Sequence, residues 1–252
     1  KEALELMDKF VRKDVLLLTV AAQFNGEIAT QILKWFRKFN VISGFKDYYP
    51  YTFPYIEKHP ECRKKVIEIV KAADIGIENL NIRSREVPWE EVPEEIKLQV
   101  EPSGKKKGKF QVIEVDAIHQ KYDADGNPNG ERKISFPKYE SDGTHRILSL
   151  IGPILDTLYN GKVLFIDEFE VGLHPLLSQL MVKLFNTGRH NAKNAQLLLT
   201  THNPYLININ LFRRDQFWFV EKDRYGGSKL YSLSEFRKRK DLDLQKHYVE
   251  GR

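Results

Sequence analysis

Apolar residues recur at two periods along the chain, and the changes of period mark its elements. Leu4, Met7, Phe10 and Val11 repeat at helical spacing and run into the apolar stretch Val15 to Ala22, which predicts a helix over 1–22. Ile28, Ile32, Trp35, Phe36 and Phe39 keep one face apolar against Lys34, Arg37 and Lys38, which predicts a second helix over 23–39. Residues 45–60 are aromatic and carry Pro50, Pro54 and Pro60, the composition of an irregular loop wrapped on a core. Pro60 suits the first turn of a third helix, with Val66, Ile69, Val70 and Ala73 as its buried face and Asp74-Ile75-Gly76 at its end. Residues 79–100 are charged, carry Pro88 and Pro93, and read as a linker or lobe edge.

The residue types then change. Phe110, Val112, Val115 and Ile118 are β-formers, Tyr122 closes their strand, and Ile134 and Phe136 carry a return strand. The dense turn signal from Asp123 to Gly130 lies between them, so 109–139 reads as a β-hairpin. That turn is also rich in oxygen ligands for calcium, but Ile134 stands where a calcium loop has its twelfth-position glutamate. Helical spacing returns over 144–160, where Ile147, Leu148, Ile151, Ile154, Leu155 and Leu158 form a core stripe, Pro153 predicts a kink and Gly161 a stop. Val163 to Ile166 is a short continuous apolar run, the pattern of a strand buried on both faces. A helix begins at Pro175, with Leu177, Leu180, Met181 and Leu184 inward and Gly188 as its C′ residue, and a second apolar run spans 196–200. Phe217 to Val220 and Lys229 to Tyr231, joined through Gly226-Gly227, read as two edge strands.

Composition narrows the class. A chain of 252 residues with 41% apolar content can bury a sizeable core. Its one cysteine, Cys62, permits no intrachain disulfide, which suits a reducing cytoplasm. No apolar run reaches the roughly 18 residues that span a bilayer. The net charge of +5 allows nucleic-acid contact without requiring it. Two basic runs, Lys105-Lys106-Lys107 with Lys109 and Arg237 to Lys240, read first as solvated surface, with a phosphate-contact patch as the alternative for the former.

The chemistry gathers at the ends of the two apolar runs. One ends on Asp167 and Glu168, the other on Thr200, Thr201 and His202. Parallel buried strands deliver such residues to a common carboxyl edge, where α/β sheets bind ligands. An acid pair there can hold Mg²⁺ and orient a water for attack on phosphate, or can merely cap the next element. His202 can accept a hydrogen bond when neutral and donate one when charged, or can serve as a core histidine bonded to backbone. Ser141, Gly143 and Thr144 precede a helix, where a hydroxyl and free N–H groups make either an anion site or an ordinary N-cap. Glu170 is an extra carboxylate beside them, or a solvated one.

FIDEFE resembles an extended Walker B motif, TTHN a switch histidine, and Ser141-Asp142-Gly143-Thr144 a degenerate signature motif. The spacing from Asp167-Glu168 to Leu173-His174 is similar to that from Walker B to the D-loop in ABC-type ATPases. Together these motifs, over 141–204, resemble the soluble ABC-type ATPase heads of the AAA-domain, OLD and RecF-like group, which includes bacterial abortive-infection ATPases of phage defence. ADIGIENL and the terminal KHYVEGR are similar to that group with less specificity.

The resemblance implies an α/β P-loop NTPase fold, ATP with Mg²⁺, Asp167 on the metal, Glu168 as base and His202 as γ-phosphate sensor. It implies further that Ser141, Gly143 and Thr144 contact the nucleotide of the opposite subunit in a head-to-head homodimer. Arg146 adds positive charge near the γ-phosphate. His174 stands where transporters carry the D-loop aspartate, a departure shared by the RecF- and OLD-like group. A separate effector is expected, a nuclease among the candidates, because these residues hold no second cluster of acids.

No G-x-x-x-x-G-K-[S/T] occurs in the 252 residues, and Gly26 and Gly44 lack the Lys-Ser/Thr that would follow. The chain therefore reads as the carboxyl-terminal part of a larger ATPase and by itself is expected to lack tight ATP binding. Its expected division is a helical lobe and linker over 1–100, a β-hairpin insertion over 101–140 and the ATPase core over 141–252. Two other functions fit the same residues. One is a degenerate head that binds protein or nucleic acid without hydrolysis. The other is a metal-dependent nuclease using Asp167, Glu168 and Glu170.

Overall fold

The computed structural model describes residues 14–73, 76–92, 97, 109–136, 138–236 and 244–249. Helices α1 (Leu17–Gln23) and α2 (Glu27–Phe36) lead into strand β1 (Phe39–Ser43). Helices α3 (Tyr49–Lys58) and α4 (Pro60–Ala72) follow, then β2 (Ile77–Pro88), β3 (Lys109–Tyr122) and β4 (Pro128–Phe136). Next come α5 (Asp142–Asn160), β5 (Val163–Asp167), α6 (Pro175–Asn186) and β6 (Gln196–Leu199). A hairpin of β7 (Trp218–Lys222) and β8 (Ser228–Ser232) and the short α7 (Leu244–Val249) complete the described elements.

These strands make a parallel sheet in the order β1-β5-β6, an antiparallel sheet in the order β2-β3-β4, and the two-stranded β7-β8. In the parallel sheet Val41 pairs with Phe165 and Phe165 with Leu198, while Ser43 pairs with Asp167 and Ile166 with Leu199. Because side chains alternate across a strand, Leu164 and Ile166 fall on one face and are fully buried. Val41 and Leu198 fall on the other face and are exposed.

The buried face meets α5, the spine of the core. Fourteen of this helix's residues are buried, on every side, as expected of a helix apolar all round. Its neighbours in one continuous cluster are Phe53 and Ile56 of α3, Val66 and Val70 of α4, Leu80 of β2, Ala117 of β3 and Met181 of α6. The helix runs through Pro153 without a break and stops at Gly161, whose left-handed φ of 59° suits glycine. Proline has no N–H, so the Ser149 carbonyl loses its helical donor. The buried Thr52 hydroxyl donates to that carbonyl at 2.8 Å. Gly152 lets α3 in this close, since a Cβ there would overlap Thr52. At the start of α3, Tyr49 bonds His145 at 2.9 Å and Phe136 packs on both rings, so β4, α3 and the start of α5 meet. Burial raises the Tyr49 hydroxyl above its ordinary range and pushes the Cys62 thiol up to about 11.

Several elements differ from their sequence expectation. The second helix ends at Phe36, and Phe39–Ser43 is a strand; five residues are too few for a period to distinguish the two, and the hydrogen bonds to β5 decide. Residues 49–58, expected as a loop, are helical. Pro50 sits in the first turn, where a missing N–H costs nothing, and Pro54 is tolerated inside because Phe53 and Ile56 bury against α5. The stretch expected to be a linker carries the twelve-residue β2, whose polar positions face solvent and whose Ile77, Leu80 and Val87 are buried. Thr187 is the C-cap of α6, so Gly188 stands at C′ as expected, but without the left-handed φ that a glycine often takes there.

The 109–139 hairpin forms as expected, and one Asp123 carboxylate oxygen accepts from the N–H groups of Asp125 and Asn127. These bonds, that from Asn127 first, hold its carboxyl below the usual carboxylate range and give the turn a structural reading. Residues 1–13, Lys105 to Lys107 and Arg237 to Lys240 lie outside the described residues.

The Thr52 bond is testable by a double-mutant cycle. Thr52→Val should cost about 1–3 kcal/mol in urea unfolding, because it strands a buried carbonyl. The N–H introduced by Pro153→Ala can serve that carbonyl, so in that background the same change should cost less than about half as much. Equal costs in both backgrounds would contradict the assignment.

Candidate functional site

At the carboxyl edge of the parallel sheet the chain leaves β5 through a tight turn. Glu168 takes a left-handed φ of 55°, rare for a residue with a side chain. Its N–H donates to the Thr200 hydroxyl at 2.9 Å, and the Val171 N–H donates to its carbonyl at 3.3 Å. Phe169, fully buried, anchors the turn from below. Gly44, just past β1, donates its N–H to the Asp167 carbonyl at 2.5 Å. A Cβ on Gly44 would collide with the Glu168 carbonyl oxygen, so only glycine allows β1 to approach this turn.

The structure brings Asp167, Glu168 and His202 together. Asp167 Oδ1 accepts the Thr200 hydroxyl at 2.6 Å. Glu168 Oε1 lies 3.5 Å from His202 Nε2, with the imidazole 80% and the glutamate side chain 32% exposed. Glu170, expected either as an extra carboxylate or as a solvated one, is neither free nor fully solvated. Its Oε1 accepts the His202 backbone N–H at 2.6 Å, and its Oε2 is buried without a partner among the described residues. Among the described residues no three acids, histidines or cysteines are grouped as a ready-made metal site. The Asp167 carboxylate offers hard oxygen at the rim, which fits a Mg²⁺ that keeps waters and nucleotide oxygens as its other ligands.

The remaining expected residues stand around the start of α5 and of α6. Ser141 caps α5, accepting from the Thr144 N–H at 3.2 Å, with the two hydroxyls 2.9 Å apart and Thr144 buried. Gly143 faces the Gly172 carbonyl. Arg146 is 7% exposed. Its guanidinium donates to the carbonyls of Val171 at 3.0 Å and Lys46 at 2.7 Å, and lies 3.7 Å from Asp47. It therefore bolts the loops after β1 and β5 to α5. His174 caps α6, its Nδ1 accepting from the Leu176 N–H at 3.3 Å. A cavity of about 700 Å³ between α1 and α2, lined by Leu17, Ala21, Ile28 and Ile32 among others, contains none of these residues.

Thr200, Gly44 and the Glu170 bond were not singled out from the sequence. Thr200 was visible beside His202 in TTHN; nothing local marks Gly44, whose role comes from a segment more than a hundred residues away.

A short apolar strand ending in Asp-Glu, a parallel neighbour ending in His, and a helix capped by Ser-x-x-Thr beside them define an α/β P-loop NTPase of the ABC-type and AAA ATPase group. The family model described as "AAA domain, putative AbiEii toxin, Type IV TA system" matches residues 27–208, and the chain belongs to that family. Comparison with curated proteins gives no match. A solved SMC ATPase, from work titled "Structural biochemistry of ATP-driven dimerization and DNA stimulated activation of SMC ATPases", is similar over 79% of this chain and 94% of its own, with 14% identity and a TM-score of 0.42. The family is one of nucleotide-binding ATPases. No helix among the described residues is long and apolar enough to cross a membrane.

Gly44→Ala should displace the Asp167-Glu168 turn and cost about 1–3 kcal/mol of stability by urea unfolding. An unchanged midpoint would show that the turn has room the geometry denies it.

Proposed function

We propose that this domain hydrolyses ATP as a switch, closing a head-to-head homodimer when ATP is bound and opening it after hydrolysis. The observation that carries the reading is the 3.5 Å approach of Glu168 to His202 at one sheet edge, beside an Asp167 held by Thr200. Asp167 would hold Mg²⁺, which when bound would supply charge neutralisation on the phosphate oxygens. Glu168 takes a proton as the water oxygen bonds to the γ-phosphorus and the bond to the bridging β–γ oxygen breaks. His202, exposed above Glu168, hydrogen-bonds the water or a γ-phosphate oxygen, according to its charge.

Ser141 and Gly143, at the start of α5, present N–H groups and a hydroxyl to the nucleotide of the opposite subunit. Thr144 and Arg146, both buried, hold that helix start in place, and His174 opens the next helix beside it. The dimer controls a separate effector in phage defence or DNA maintenance, with nucleic acid as a further partner and the cytoplasm as its compartment. The family's printed description and the mild positive charge support this part of the reading.

The test is hydrolysis by the full-length protein. Glu168→Gln should keep ATP binding and lower turnover by a factor on the order of 10² or more. Undiminished turnover would overturn the role of Glu168. The same variant, unable to reopen, should sediment as a dimer with Mg²⁺ and ATP and as a monomer without. A protein that stays monomeric at saturating ATP would rule out the dimer, and one that binds partners without hydrolysing ATP would favour the degenerate module.

A further inference from the structure

The His202 imidazole stands 80% exposed, so packing does not set its position. Its backbone does. The His202 N–H donates at 2.6 Å to Glu170 Oε1, and the next N–H, that of Asn203, donates to the Thr201 hydroxyl at 3.0 Å. An N–H bond to a carboxylate is about twice as strong as one to a neutral acceptor. Glu170 holds it from the β5–α6 turn, two residues beyond Glu168. The Leu173 N–H donates to the Glu170 carbonyl at 2.9 Å and fixes that turn in place. The second Glu170 oxygen is buried, so the carboxylate is held at the turn rather than turned out to solvent.

We propose that Glu170 is the positioning residue of His202. Its carboxylate clamps the 201–202 peptide to the turn that carries Glu168, so that base and imidazole keep one spacing and move together. This deepens the ATPase reading and rests on it for its kinetic consequence; the clamp itself does not. Glu170 acts through the His202 backbone.

The full-length protein tests both parts. Glu170→Ala should lower kcat for ATP by about tenfold or more, since a displacement of the order of 1 Å in a catalytic group is felt strongly, and should leave KM within about threefold. Glu170→Gln keeps an amide oxygen as acceptor and should restore most of the turnover. In a His202→Ala background, Glu170→Ala should add little further loss, because the two act as one unit. Wild-type turnover in Glu170→Ala would overturn the proposal. So would a Glu170→Gln as impaired as Glu170→Ala, or fully additive losses with His202→Ala, since each assigns Glu170 a role apart from its bond to His202.

Hydrogen exchange at the His202 amide separates this proposal from the ATPase reading. It should quicken in Glu170→Ala and stay slow in Glu170→Gln, with far-ultraviolet circular dichroism confirming that each variant folds. Unchanged exchange in Glu170→Ala would remove the clamp. Quickened exchange in a protein that hydrolyses no ATP would leave the clamp standing and sink the ATPase reading alone.

Discussion

The hydrogen bonding of β5 on both sides is the constraint on which the rest of the molecule depends. A strand with parallel neighbours on each edge has no freedom of register once its apolar face is buried, because a slip of one residue would turn Leu164 and Ile166 outward. With the register fixed, β1, β5 and β6 all release their chains at one edge. The loops carrying Gly44, Glu168 and His202 are therefore brought together by the sheet, whatever their own preferences. Helix α5 completes this arrangement from beneath, since its buried faces leave the sheet nowhere to shift.

The edge is then tightened by polar groups rather than by apolar packing. Thr200 accepts from the Glu168 backbone and donates to the Asp167 carboxylate, so one hydroxyl just past β6 joins the last residue of β5 and the one after it. Arg146 does the same on the far side of the turn, through two carbonyls from different loops. Both devices use short side chains or a rigid fork, which lose little rotamer freedom when bonded. They leave Asp167, Glu168 and His202 partly in solvent, where a nucleotide can reach them.

How much of this was legible in the sequence depended on whether the signal was local. Val163 to Asp167 and Gln196 to His202 are continuous apolar runs that end in polar residues, so the strands and the chemistry at their ends were readable together. Helix α5 announced itself by six apolar residues at helical spacing, and the hairpin by its turn. The losses were of another kind. Strand β1 is five residues long, and only its pairing with β5 distinguishes it from the end of a helix. Strand β2 is mostly polar because one face meets water, and its charged residues find partners on β3, as Arg83 does in Asp116 and Arg85 in Glu114. Prolines concealed α3, whose helical state rests on contacts with α5 rather than on its own propensity. The contribution of Gly44 exists only between segments, and no window of sequence contains both halves of that contact.

The left-handed backbone of Glu168 bears on how this position can change over evolutionary time. Glycine, asparagine and aspartate occupy that conformation with least strain, and none of them carries a carboxylate at the reach of a glutamate. Selection for thermal robustness alone would drift toward glycine or asparagine here and lose the carboxylate proposed as proton acceptor. Selection for catalysis alone must keep a residue that the local geometry disfavours. If Glu168 is the proposed proton acceptor, the strain it retains is a small standing antagonism between durability and turnover.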